Sequence, residues 1–335
     1  MDETSNSGSE ESTPAALPAA SGNPPSTSGS NSRTPGLEHA FSEFAGAAKH
    51  VAEAVNRKAG RDLFAAIGVA IVILGVVGVC LIWVPWAFVI LIALMVVGAQ
   101  VELGQVLTKH RGVSIVYLPL LTGSVVLTTG LYLLSIYRLD YLPPMVFVIG
   151  VLGLTVVAIL CQRLLGPIKN YLSDVTHTLA LLAYPGLIAG ALVLVLAQEQ
   201  GPARIAVFIV GVAGVDIGGH AFGVLLGKHP FAPRISPKKS WEGVGGSFLL
   251  SAILVVLATI FLLDEAWWKG LVLSVVLVSF SILGDLVESV IKRDIGIKDM
   301  SSLLPGHGGI FDRIDSYIVA AVPGWLAITL LFTNV

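Results

Sequence analysis

Nine apolar runs occupy most of this chain, and they constrain its fold more than any other feature. Each is close to the length that a helix needs to cross about 30 Å of hydrocarbon. Mean hydropathy is +0.84 and only 13% of residues are charged, against about a quarter in soluble domains. We therefore predict an all-α, polytopic integral membrane protein with about nine transmembrane helices. The predicted spans lie near 63–84, 86–106, 113–135, 142–162, 178–198, 204–226, 247–263, 268–290 and 317–332.

The placement of Lys and Arg predicts the orientation of these spans. Basic residues crowd into alternate connections, beginning with the segment before the first span, and only Arg138, Arg204 and Lys269 fall on the other side. Cytoplasmic connections carry the excess of positive charge in membrane proteins. We therefore predict a cytoplasmic N-terminus and an external C-terminus. The expected location is the plasma membrane.

The N-terminal part of the chain differs from the rest. Residues 1–36 are rich in Ser, Pro and Gly and lack the apolar core of a secretory signal, which is typical of a disordered cytoplasmic tail. In 37–62, apolar residues recur at spacings of three and four, which indicates an amphipathic helix on the membrane face. A soluble helix packed on a partner fits that pattern as well. Residues 63–335 are predicted to form the transmembrane domain, with the polar site in the half at about 205–335.

Ionisable residues lie inside the predicted spans, where a charge costs at least about 2.5 kcal/mol. Asp216 lies near the middle of the sixth span, while Asp285, Glu288 and Lys292 follow one face of the eighth. Such groups should meet each other or an ion. An internal ion pair that merely joins helices is an equal alternative for the eighth span. Glu102, near the inner end of the second span, is interpreted as a helix-end side chain that reaches the interface.

The connection between the sixth and seventh spans, 227–247, combines basic side chains with glycines. It reads "GKHPFAPRISPKKSWEGVGGS", with three glycines just before the next helix. Basic side chains and exposed backbone amides at a helix start can bind a polyphosphate. The alternative is that these residues are ordinary positive charges beside anionic lipid headgroups. Taken alone, this loop favours that alternative.

A second polar loop, "LLPGHGGIFDRIDS" at Leu303–Ser316, separates the last two spans. Carboxylates are hard oxygen ligands, and Mg²⁺ usually takes one or two of them together with substrate phosphates and water. Arg313 offers a planar fork to a phosphate. The other candidates around this loop are the acidic residues Asp299, Asp312 and Asp315 and the basic residues Lys292, Arg293 and Lys298.

From Ser289 to Asp315 the chain reads "SVIKRDIGIKDMSSLLPGHGGIFDRID", which resembles the signature of the phosphatidate cytidylyltransferase (CDP-diacylglycerol synthase) family, bacterial type. "ISPKKSWEG" at 235–243 and the "GD" at Asp285 with Glu288 resemble two further family segments. The resemblance implies transfer of the cytidylyl group of CTP to phosphatidate by metal-assisted in-line attack on the α-phosphate. The implied products are CDP-diacylglycerol, for phospholipid biosynthesis, and pyrophosphate.

The resemblance also implies partners and roles. It implies Mg²⁺ and a second cation, K⁺ or another divalent ion, with CTP, phosphatidate and membrane lipid as partners, no nucleic acid, and a homodimer. Asp285 and Asp312 match the principal metal ligands, with Asp216, Glu288 and Asp315 as further candidates. The implied catalytic residues are Asp285, Asp312, Lys292, Lys298, Asp299 and Arg313. The implied substrate-binding residues are Lys238, Lys239, Ser236, Glu242, Arg293, His307, Gly308 and Gly309.

An ion-coupled secondary transporter is the alternative from another class, because ionisable residues in spans also mark ion pathways. Two features of the sequence weigh against it. No repeated half with paired broken segments is found, and the polar residues crowd toward one membrane face. The CDP-alcohol phosphotransferase motif DGxxAR is absent from the sequence.

Overall fold

The part of the chain that the structure, a computed structural model, describes is 75–137, 142–301 and 309–333. The predicted tail 1–36, the predicted amphipathic helix 37–62 and the first part of the predicted first span lie outside these ranges. Residues 75–83, at the end of that span, are helical.

Within the described ranges, eight helices are long and apolar enough to cross a membrane, which confirms the predicted all-α polytopic class. A short antiparallel ribbon, which the sequence did not predict, lies in the connection between the fifth and sixth of these helices. The elements are α1 (Pro85–Arg111), α2 (Tyr117–Tyr137), α3 (Pro144–Leu164), α4 (Tyr171–Leu196), α5 (Gly201–Leu226), β1 (Pro230–Ala232), β2 (Ser236–Ser240), α6 (Trp241–Leu263), α7 (Trp267–Ile295) and α8 (Phe311–Phe332).

Local sequence signals set several helix ends. Pro85 occupies the first turn of α1, where its missing N–H costs nothing. Gly112 and Gly296 end α1 and α7 at φ of 67° and 82°, a left-handed conformation that glycine adopts without steric cost. The Ser240 hydroxyl caps α6 by accepting a 3.1 Å hydrogen bond from the Gly243 N–H.

Small residues allow α5 and α6 to pack closely. The Ser247 hydroxyl donates to the Val215 carbonyl at 2.8 Å, and the Ser251 hydroxyl donates to the Gly211 carbonyl at 3.0 Å. A side chain at Gly218 would collide with the backbone of α6. Close approach and interhelical hydrogen bonds replace the hydrophobic effect as the source of helix association in lipid. The helices α5 and α6 are therefore held together by close packing and hydrogen bonds.

Side-chain contacts define the two ends of the bundle. At one end, Arg111 of α1 forms an ion pair with Asp294 of α7, and Arg293 donates to the Ile235 carbonyl next to the ribbon. At the other end, Arg204 of α5 donates to the Phe332 carbonyl at the end of α8 at 2.6 Å. The basic connections that the sequence places on the cytoplasmic side thus meet at one end, which we call the basic end.

Candidate active site

Three carboxylates meet where α7 and α8 cross near the basic end. Asp285, Glu288 and Asp315 each offer an oxygen atom, and these atoms lie within 4.8 Å of one another. Glu288 and Asp315 are only 4% and 8% exposed, whereas the Asp285 side chain is 39% exposed. A Cβ at Gly284 would lie 2.6 Å from the Asp315 carbonyl oxygen, so glycine there lets α8 approach. We call these three residues the carboxylate cluster.

Two lysines lie against this cluster. The Lys292 Nζ is 2.7 Å from Glu288 Oε1 and 3.0 Å from Asp312 Oδ1. The Lys239 Nζ, on β2, is 2.5 Å from Asp285 Oδ2. Successive side chains of a strand point to opposite faces, and Lys238 is exposed while Lys239 is partly buried. The ribbon therefore brings Lys239 to the site.

Asp312 joins the site through Lys292. Its Oδ2 accepts hydrogen bonds from the Gly309 N–H at 2.9 Å and the Met300 N–H at 3.3 Å. The sequence paired Asp312 with Asp285 as principal metal ligands, whereas the structure groups Asp285 with Glu288 and Asp315. The role of Asp312 as a metal ligand stays a prediction.

Asp216 approaches from α5. Its Oδ1 accepts a hydrogen bond from the Ser316 hydroxyl at 3.3 Å, and its side chain is exposed. Ser316 follows Asp315 on α8 and was not singled out from the sequence. Asp216 therefore lies near the cluster.

Among the described residues, the carboxylates of the site outnumber the lysines that pair with them. Five carboxylates, those of the cluster with Asp216 and Asp312, face two lysine ammonium groups. Hard oxygen ligands in excess over cations suit a divalent cation, since an unpaired buried carboxylate is costly. Octahedral Mg²⁺ holds opposite oxygens about 4 Å apart, so small side-chain movements would let the cluster hold it.

The prediction that Glu102 reaches the interface is wrong. Glu102 is 3% exposed, and its Oε2 accepts a 2.7 Å hydrogen bond from the Phe311 N–H at the start of α8. Its Oε1 accepts from the Ser301 hydroxyl. The carboxylate is buried because α8 begins against α1, a contact between residues more than 200 positions apart.

The remaining predicted residues take other places. The Glu242 carboxylate accepts from the backbone N–H groups of Lys228 and His229 at 3.1 and 3.2 Å, and contacts the His229 ring at 2.6 Å, so it holds the connection before β1. Ser236 opens β2. Near the basic end, the exposed residues include Lys298, Asp299 and Arg313. Gly309 packs against Glu102. His307 and Gly308 lie outside the described residues.

Comparison with known proteins gives a consistent set of similarities. Residues 64–331 match the model of the Cytidylyltransferase family. A phosphatidate cytidylyltransferase of Mycobacterium leprae (strain TN) is 39% identical over 290 residues, which cover 82% of this chain and 90% of that protein. One of Mycobacterium tuberculosis (strain ATCC 25618 / H37Rv) is 38% identical over 280 residues, covering 82% and 84%. One of Haemophilus influenzae (strain Rd) is 46% identical over 122 residues, covering 35% and 42%.

Proposed function

This chain belongs to the cytidylyltransferase family, and from that premise we propose that it transfers the cytidylyl group of CTP to phosphatidate. The family and enzyme class predicted from the sequence are confirmed. In the proposed reaction, a phosphate oxygen of phosphatidate forms a bond to the α-phosphorus of CTP. The bond from that phosphorus to the α,β-bridging oxygen breaks, so the products are CDP-diacylglycerol and pyrophosphate.

The observation that supports this proposal is the carboxylate cluster with its two lysines, built from three separate elements, β2, α7 and α8. The attacking phosphate is an anion at neutral pH, because the second pKa of a phosphomonoester is about 6, so the reaction needs no strong general base. The obstacle is repulsion between a phosphomonoester and a triphosphate. A site for this reaction must therefore gather cations next to the reacting phosphates.

We assign Mg²⁺ to Asp285, Glu288 and Asp315, whose oxygens already converge. A bound Mg²⁺ would supply charge neutralisation of the triphosphate and of the departing pyrophosphate. The second cation implied by the family resemblance remains a prediction, with Asp216 and Asp312 as the nearest further carboxylates.

The basic residues have separate tasks in this proposal. Lys239 lies at the mouth of the cluster on the partly exposed side of Asp285, where its ammonium can turn to a phosphate of CTP. Lys292 holds Glu288 and Asp312 in place and can meet the phosphate of phosphatidate or the leaving group. Arg313, exposed on the first turn of α8, offers a planar fork to CTP.

The membrane setting fits the lipid substrate. Phosphatidate keeps its acyl chains in the bilayer and its phosphate at the interface, while CTP is water-soluble. We place the site at the cytoplasmic face of the plasma membrane, because the basic connections that the positive-inside rule assigns to that face meet at the basic end. The homodimer also remains a prediction from the family resemblance.

The test is incorporation of α-labelled CTP into lipid by purified protein with defined phosphatidate and Mg²⁺. We expect labelled CDP-diacylglycerol and one pyrophosphate for each product. Asp285→Asn and Asp315→Asn should each lower turnover by about a hundredfold or more, since they remove ligands of the cluster. Asp264→Asn is the matched control, because Asp264 ends α6 at the opposite end of the bundle. Phosphatidate-independent ion flux without labelled lipid would instead support a transporter.

A further inference from the structure

We propose that Glu102 is a positioning residue: from α1, in the half of the protein without the carboxylate cluster, it fixes the start of α8 and so places Asp312 and Asp315. The inference rests on the proposed function. In the described part of the chain, no hydrogen bond or ion pair joins Glu102 to the cluster or to its two lysines. Its effect on the reaction therefore passes through α8.

The start of α8 lacks a capping side chain of its own. Ile310 occupies the N-cap position and makes no side-chain cap hydrogen bond. Glu102 supplies the missing acceptor, since its Oε2 takes the Phe311 N–H at 2.7 Å. A carboxylate at a helix N-terminus also interacts favourably with the helix dipole. A residue of α1 thus caps a helix that begins 209 positions later.

Packing around this cap leaves little freedom. Phe311 is fully buried, and its ring lies 5.7 Å from the Tyr184 ring of α4. A Cβ at Gly98 of α1 would lie 2.6 Å from the Ile310 side chain, and a Cβ at Gly309 would overlap the Glu102 carboxylate. The chain just before α8 therefore lies directly on α1.

Backbone groups next to those that contact Glu102 orient Asp312. Glu102 contacts Ser301 and Phe311, while the N–H groups of the neighbouring Met300 and Gly309 donate to Asp312 Oδ2. Asp312 lies on the first turn of α8 and Asp315 follows one turn later. A displacement of α8 moves both carboxylates relative to Asp285 and Glu288 on α7. A misplacement of about 1 Å can cost about a hundredfold in rate.

The experiment compares Glu102→Ala with Glu102→Gln in the purified full-length protein. It measures kcat, the KM for CTP, the Mg²⁺ concentration for half-maximal rate, and the rise in unfolding temperature that Mg²⁺ produces. We expect Glu102→Ala to lower kcat about tenfold or more and to raise the Mg²⁺ requirement severalfold, as loss of a supporting partner does at metal sites. Its Mg²⁺-induced rise in unfolding temperature should shrink. Glu102→Gln should recover most of each loss, because an amide oxygen still accepts from the Phe311 N–H.

Gln100→Ala is the matched control on the same helix. Gln100 is fully buried, but its amide donates to the Ser124 hydroxyl and the Leu181 carbonyl, on α2 and α4 rather than α8. We expect this variant to unfold at a lower temperature with kcat and Mg²⁺ requirement within about twofold of wild type. If Glu102→Ala behaves in the same way, Glu102 is merely structural and the inference is overturned. Should Glu102→Ala not fold, Glu102→Asp is the second variant, because its shorter side chain keeps the charge but moves the acceptor oxygen away from the Phe311 N–H. A wild-type kcat and Mg²⁺ dependence in Glu102→Asp would also overturn the inference.

A double-mutant cycle with Gly309→Ala sharpens the test. The added methyl group overlaps the Glu102 carboxylate, so Gly309→Ala should lower kcat strongly in the wild type and much less in Glu102→Ala. Equal losses in the two backgrounds would contradict the proposal and assign Gly309 to contact with substrate. Failure of the proposed function looks different, since wild-type protein would then form no labelled lipid from CTP.

Discussion

Lys292 lies between Glu288 and Asp312, and its replacement by methionine removes the only ammonium group paired with either carboxylate among the described residues. The three side chains are at most 15% exposed, so water replaces little of the lost interaction. Removal of one member of a buried pair costs about 3–5 kcal/mol. Unfolding entropy is about 2.1 cal/mol/K per residue, so 1 kcal/mol shifts the unfolding temperature of a chain of this length by about 1.4 °C. Lys292→Met should therefore unfold at least about 4 °C below wild type.

Thermal unfolding in detergent, with and without Mg²⁺, measures this effect, and labelled CTP incorporation measures turnover. We expect Mg²⁺ to raise the unfolding temperature more in Lys292→Met than in wild type, because the site has lost a competing cation. Lys269→Met is the matched control, since Lys269 pairs with Glu265 at the opposite end of the bundle. The Lys269 and Glu265 side chains are 18% and 24% exposed, and Lys269 pairs with one carboxylate rather than two, so its replacement should lower the unfolding temperature less. An unfolding temperature for Lys292→Met equal to that of the control would refute the reasoning.

Three further predictions concern the same site. Lys239→Met should raise the KM for CTP about tenfold in steady-state kinetics. Lys238→Met should have a smaller effect, because Lys239 pairs with Asp285 whereas Lys238 is exposed. Gly284→Ala should destabilise the protein by about 1–3 kcal/mol through overpacking against α8. Gly150→Ala should leave stability unchanged, because a Cβ at Gly150 meets open space; unfolding temperatures of the two variants check this. Removal of divalent cations with a chelator should abolish turnover, and Mg²⁺ should restore it; undiminished turnover would contradict the metal assignment.

Sequence periodicity was sufficient to predict contacts between residues of the same helix. The spacing of Glu288 and Lys292 predicted one helical face, and the structure pairs them at 2.7 Å. The second to ninth predicted spans correspond to α1–α8, although α8 begins at Phe311 rather than near 317. The polar "DRID" residues precede the apolar run and form the start of the helix, where the Asp312 carboxylate accepts hydrogen bonds from the Gly309 and Met300 N–H groups.

Contacts between distant segments could not be predicted from the sequence. Nothing in the pattern around Glu102 indicates that its carboxylate accepts the Phe311 N–H, because that contact depends on how α8 packs on α1. The ribbon of β1 and β2 is short and contains prolines, so it has no alternating apolar signal. Its effect, that Lys239 rather than Lys238 meets Asp285, likewise appears only once the chain is folded.

The central claim is that Asp285, Glu288 and Asp315 hold a divalent cation. Anomalous diffraction from crystals of active protein soaked in Mn²⁺ in place of Mg²⁺ tests it most directly. We expect a peak within about 2.5 Å of an oxygen of each of these residues, the range of oxygen ligation for hard dications. A peak elsewhere, with the three carboxylates free of metal while the same protein remains active with Mn²⁺, would contradict the account.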